Sequence, residues 1–127
     1  MQQPPVGGLQ LVQSYGDGGF KISGQRHQGS LLVLADKVLP WNATNLADLS
    51  LPSLTPIMEA DPSVELLIIG CGVNFSLAPV TLREVLSSKK IGVETMDTGA
   101  ACRTYNVLAS EGRRVAAALI AIVADHR

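Results

Sequence analysis

The chain has no excess of charge of either sign. Ten Lys and Arg stand against eleven Asp and Glu, a net charge of −1 with a pI near 6.1. A protein that grips nucleic acid neutralises phosphates with clustered cations, so no nucleic-acid partner is expected. Aromatic residues are scarce as well. Trp41, Tyr15, Tyr105, Phe20 and Phe75 are the whole set, which argues against base stacking. The two cysteines, Cys71 and Cys102, make no disulfide framework and fit a reducing compartment. His27 and His126 lie far apart in the chain and match no metal-ligand spacing or Ser/His/Asp set. No metal, no cofactor and no recognisable catalytic set are therefore expected. The longest apolar run, Val115 to Ala124, is ten residues. A membrane-crossing helix needs about twenty, so the run reads as a buried strand and not as part of an integral membrane protein. Met1-Gln2-Gln3-Pro4-Pro5 is not a basic region followed by an apolar one. No secretory signal is expected, which implies a cytoplasmic location, or the mitochondrial matrix in a eukaryote.

What the chain does have is apolar content. Its 127 residues are 46% hydrophobic and 17% charged, enough for one globular domain with a single core. Residues 1–8, rich in Gln, Pro and Gly, are expected to be a flexible N-terminus, and residues 9–127 a single α/β domain. Leu9 to Gln13 reads as a short strand, and Tyr15 to Gly19 as a glycine turn. Phe20-Lys21-Ile22 alternates as a half-buried strand does. Gly24 to Gly29 reads as a connection to a second apolar strand, Ser30 to Ala35, paired antiparallel to the first. Pro40, Pro52 and Pro56 break the middle of the chain. There Trp41 is placed at the core edge, and Ser53 as the cap of a short helix from Leu54 to Ala60.

The second half is more regular. Val64 to Ile69 is a near-continuous apolar run, as in a strand covered on both faces. Pro79 to Lys90 has helical periodicity, with Leu82, Val85 and Leu86 on one face. Val93 to Met96 is the next strand, and a helix capped by Asp97 or Thr98 runs to about Ser110. Arg114 to Val123 is the last strand. Strand, helix and strand over 64–96 form a βαβ unit with parallel strands.

Two strand-to-helix junctions should then share one edge of the sheet. They are Gly70-Cys71-Gly72 and the run Asp97, Thr98, Gly99, Ala100, Ala101, Cys102, Arg103, followed by Tyr105 and Asn106 on the helix. Such edges are where α/β proteins place ligands. Free N–H groups of Gly99, Ala100 and Ala101 would suit a carboxylate or phosphate, with Arg103 as a clamp. The same residues also have plain structural readings. Glycine is routine at strand ends, alanine allows tight helix packing, and Asp97 can be only a cap. Cys102 near a helix N-terminus could have a lowered pKa and pair with Cys71, or both thiols could be inert core residues. The glycines form neither a Walker loop nor a dinucleotide fingerprint.

Tyr15-Gly16-Asp17-Gly18-Gly19-Phe20, Gly70-x-Gly72 and the run Met96 to Asn106 resemble the domain-of-unknown-function family that contains mitochondrial respiratory complex I assembly factor 3. The resemblance extends from about Leu9 to Val123 and points to a small, free-standing bacterial member. It implies a three-layer α/β domain. The mixed sheet would be built on the βαβ unit, with an antiparallel last strand and an added N-terminal β-hairpin. The mitochondrial members help to build a membrane-associated complex. The family supplies no catalytic residues, so the motif marks only a candidate surface or cleft.

Three functions compete. An assembly, scaffolding or protein-binding factor would bind a membrane-complex subunit or another assembly factor. Leu46, Leu49, Leu51 and Leu54 would then be candidates for an exposed apolar patch. A small-molecule or anion-binding protein or enzyme would use the crevice at the ends of strands 64–69 and 93–96. Thiol redox chemistry by Cys71 and Cys102 is the third.

Overall fold

A computed structural model describes residues 9–122, the side chain of Asp48 excepted. The loose terminus expected over residues 1–8 lies outside them, as do Val123 and His126.

The N-terminal part is a three-stranded antiparallel sheet, β1 (Val12–Gly16), β2 (Gly19–Ile22) and β3 (Gln25–Gln28), in that spatial order. The first strand begins later than Leu9 and carries an irregularity between Val12 and Ser14. Two-residue turns join the strands. Asp17 and Gly18 have φ of 54° and 78°, and Ser23 and Gly24 have 48° and 88°. Two successive positive φ values match the twist of a tight hairpin. The second turn overturns the expectation that 24–29 is only a connection and that the N-terminal element is a simple hairpin. Ser23-Gly24 reverses the chain at once, and Gln25-Arg26-His27-Gln28 returns as a third strand. That strand has no apolar alternation because it stays largely in water.

The remaining strands are β4 (Leu31–Val33), β5 (Val38–Pro40), β6 (Leu66–Gly70), β7 (Gly92–Met96) and β8 (Val115–Leu119). They form a mixed sheet in the order β5-β4-β8-β6-β7. β4 pairs antiparallel with β5 and β8, not with β2 as the run of apolar residues suggested. β6 is parallel to both β7 and β8. The last strand is thus antiparallel only to β4, and parallel to the βαβ strands where an antiparallel strand was expected. The cause is helix α3 (Thr98–Ser110), which follows α1 (Thr55–Met58) and α2 (Val80–Ser88) in the chain. Its thirteen residues are themselves the crossover. They carry the chain back to the end of the sheet where β6 begins, which parallel pairing requires.

Alternation along the strands makes three layers. Leu67, Ile69, Ala116 and Ala118 face α1, α2 and the segment 41–54. Ile68, Val115, Ala117 and Leu119 face α3 and the small sheet, where Phe20 and Ile22 complete that core. The helix read from Leu54 to Ala60 is shorter, because residues 51–54 form a 3₁₀ turn before α1. Ser53 sits in that turn and caps no helix. Its hydroxyl donates to the Ser50 carbonyl and accepts from the indole N–H of the buried Trp41 at 3.0 Å. Leu46, Leu49, Leu51 and Leu54 all pack in or against this core, so the apolar patch expected there does not exist.

Candidate functional site

The two junctions do meet at one edge of the sheet, and Thr98 ties them together. Its side chain is fully buried. The Thr98 hydroxyl accepts from the Gly72 N–H at 2.9 Å and donates to the Ile120 carbonyl at 2.8 Å. The Thr98 N–H donates to the Gly72 carbonyl. Beside it the Cys71 N–H donates to the Met96 carbonyl, and the Ile120 N–H to the Gly70 carbonyl. The ends of β6, β7 and β8 are thus closed by their own backbone and one hydroxyl. Gly70 permits this closeness. A Cβ there would stand 3.0 Å from the Thr98 Cα and 3.1 Å from the Ala101 Cβ, tighter than ordinary contact.

Asp97 is the N-cap of α3, with Oδ1 accepting from the Ala100 N–H at 2.9 Å. The Ala101 N–H donates to the Asp97 carbonyl at 2.9 Å. Two of the three N–H groups that would greet an anion are therefore already bonded within the chain. The third belongs to Gly99, a buried residue with Tyr15 packed close beside it. A Cβ on Gly99 would stand 2.9 Å from the Tyr15 ring. Tyr15 comes from the β1–β2 hairpin and caps the helix end sterically. Its sequence neighbourhood read only as a turn.

The cysteines do not pair. Cys71 belongs to the core on the α2 face and Cys102 to the core on the α3 face, so the sheet separates them. Both are free and buried. Burial pushes the Cys102 thiol up to about 12, outweighing the Arg103 charge that alone would lower it. The lowered pKa considered from its place near a helix N-terminus is reversed, because desolvation of the thiolate dominates. The Cys71 sulfur instead accepts from the Ser76 N–H and donates to the Asn74 carbonyl, which shapes the loop after β6.

Tyr105 and Asn106 dock the small sheet onto α3. The Tyr105 hydroxyl donates to the Gln10 carbonyl at 2.8 Å, and burial raises its pKa. Asn106 pairs with both backbone groups of Val12, accepting at 2.8 Å and donating at 2.7 Å. That reciprocal pair sits at the β1 irregularity, which falls between Val12 and Ser14. Arg103 is exposed and meets no carboxylate among the described residues. It borders a shallow groove of about 380 Å³ between α3 and β1, with Gln13, Tyr15 and Asn106.

A different feature of this edge escaped the reading of the sequence. The loop from β6 to α2 exposes Val73 by 64%, Phe75 by 62% and Leu77 by 61%, and Val80 follows at 57%. Exposed large apolar residues grouped in one short segment are unusual for a lone surface. The signal was there as alternation, Val73-Asn74-Phe75-Ser76-Leu77, bounded by Gly72 and Pro79. Alternation alone does not say whether the apolar groups face water, and here the whole segment 73–77 is exposed, Asn74 and Ser76 included. Among the described residues no helix is long and apolar enough to cross a membrane.

Comparison with known proteins bears on this geometry. The model of a family described as "Protein of unknown function (DUF498/DUF598)" matches residues 12–120. NADH dehydrogenase (ubiquinone) 1 alpha subcomplex assembly factor 3 of Danio rerio is 37% identical over 110 residues, covering 87% of this chain and 63% of that protein. An uncharacterised protein of Rhodobacter capsulatus is 37% identical over 119 residues, covering 94% of this chain and 90% of its own length. The solved structure of a Rhodopseudomonas palustris protein, 42% identical, matches with a TM-score of 0.78 over 92% of this chain and 87% of that one. The chain thus spans less than two thirds of the Danio rerio assembly factor, but nearly all of the Rhodobacter protein.

Proposed function

We propose, since the chain belongs to the DUF498/DUF598 family, that it is a non-enzymatic assembly or scaffolding factor that works by binding another protein. The observation that carries this reading is the exposed row Val73, Phe75, Leu77 and Val80. Such a row is stable in water only at a cost, and a protein partner removes it. The partner class is a membrane-complex subunit or another assembly factor, by kinship with the complex I assembly factor. The internal bonding of the junction supports the same reading, since Thr98 and Asp97 already hold the donors that substrate chemistry would use. The free, buried thiols suit a reducing compartment such as the cytoplasm, or the mitochondrial matrix in a eukaryote.

One observation favours a second reading, a small-molecule or anion site. Arg103 stands unpaired among the described residues beside the α3–β1 groove. A pull-down from native lysate separates the two, with wild type beside a Phe75→Ser, Leu77→Ser double variant and Arg103→Ala. A stoichiometric protein partner held by wild type and lost by the double variant supports the binding factor. Absence of a partner, together with a thermal shift by small anions that Arg103→Ala abolishes, sinks it in favour of the second reading.

A further inference from the structure

The second edge of interest is β7, the outer strand of the five-stranded sheet. Its parallel ladder with β6 decides which of its backbone groups are used. The Gly92 N–H donates to the Glu65 carbonyl at 2.9 Å, and the Met96 carbonyl accepts from Cys71 at 2.8 Å. Peptide groups alternate in direction along a strand. Gly92, Glu94 and Met96 therefore turn their N–H and C=O groups toward β6. Val93 and Thr95 turn theirs outward, and no hydrogen bond from the described residues reaches them. Beside this edge lies a groove of about 370 Å³ between β7 and α2, bordered by Val80, Arg83, Ser87 and Val93. An added strand would find room there for its side chains. Glu94, the middle residue of β7, is exposed.

We infer that this edge takes up an extended strand of another protein, and that Glu94 chooses the occupant. It rejects a second copy of this chain and favours a strand with Lys or Arg opposite it. Antiparallel self-pairing that satisfies both outward residues sets Val93 of each copy against Thr95 of the other. That register also sets Glu94 directly opposite Glu94, at the non-hydrogen-bonded position where side chains come closest. Like charges there destabilise a pair, and charge on an edge strand is a known guard against edge-to-edge association. Sliding the register by two residues brings only one outward residue of β7 against another. A partner strand with a cation at the central position keeps every backbone bond and turns the repulsion into attraction. The inference deepens the protein-binding reading and rests on it for the natural partner. Its test uses this chain alone and leaves Phe75 and Leu77 intact, so the two can fail separately.

The experiment is sedimentation equilibrium of wild type, of Glu94→Lys, and of an equimolar mixture, at low ionic strength. The mixture should associate about tenfold more tightly than either component alone. Added salt should weaken that gain. Thr95→Pro removes an outward N–H without touching the ladder to β6, so in either component it should abolish the gain. Circular dichroism checks that each variant folds, and Val93→Pro replaces Thr95→Pro if the latter does not. A mixture of folded components that associates no better than they do separately overturns the inference. So does a heterodimer that survives the proline, or a wild-type dimer that the proline dissociates.

Discussion

Two strand-to-helix junctions leave neighbouring strands at the same edge of the sheet, yet they differ in what they show to solvent. The junction after β7 turns its polar groups inward. Thr98 bonds Gly72 and Ile120, Asp97 caps α3, and Tyr15 covers Gly99. The junction after β6 turns its apolar groups outward at Val73, Phe75 and Leu77. Place in the fold is the same for both, so place does not make a site. What matters is which groups the chain leaves without a partner. By that measure the polar motif after β7 is a clasp, and the loop after β6 is the segment that leaves its apolar groups uncovered.

The contrast can be broken by mutation, and the clasp should fail hardest. Thr98→Val keeps the shape but leaves a buried N–H and a buried carbonyl unmatched, so urea denaturation should show a loss of about 3 kcal/mol. Thr98→Ser should recover most of it. A loss below about 0.5 kcal/mol in the valine variant would mean that the hydroxyl is not the tie. Asn106→Ala unhooks β1 from α3 and should cost about 2 kcal/mol, with faster amide exchange in β1 and β2 than in β6. Uniform exchange across the two sheets would contradict the docking role. Asp97→Ala removes one cap bond, for about 1 kcal/mol by the same titration, and Asp97→Asn should be nearly silent. At the other junction, Phe75→Ser with Leu77→Ser should change stability by less than about 0.5 kcal/mol. A large destabilisation in that pair would show that the loop is packed core, and the comparison would collapse.

Much of this was readable in the residues. The strands around Leu66–Gly70 and Gly92–Met96, the helices over 80–88 and 98–110, and the Asp97 cap all follow from local periodicity and capping chemistry. Local signals fail where partners are distant in the chain. Gln25–Gln28 has no apolar pattern, because its pairing with β2 is dictated by a two-residue turn and not by burial. Leu46 and Leu54 look as available as Phe75 in composition, but only the former find the α2 face of the sheet. Cys102 carries the marks of a reactive thiol in sequence, and the core on the α3 face of the sheet then buries it. Its thiol rises to about 12 for a reason no local window contains.

The sequence by itself determined the α/β class, the βαβ unit, the position of the long motif at a strand-to-helix turn, and the family kinship, because periodicity, caps and motif order are local properties. Only the tertiary structure decided that β8 runs parallel to β6, that Thr98 is buried as a tie, that the two cysteines lie on opposite faces, and that Val73, Phe75 and Leu77 face water. Each of those depends on which distant surface reaches a group first. Desolvation and hydrogen bonding are settled by that neighbour, and the chain does not carry the neighbour in its own local spelling.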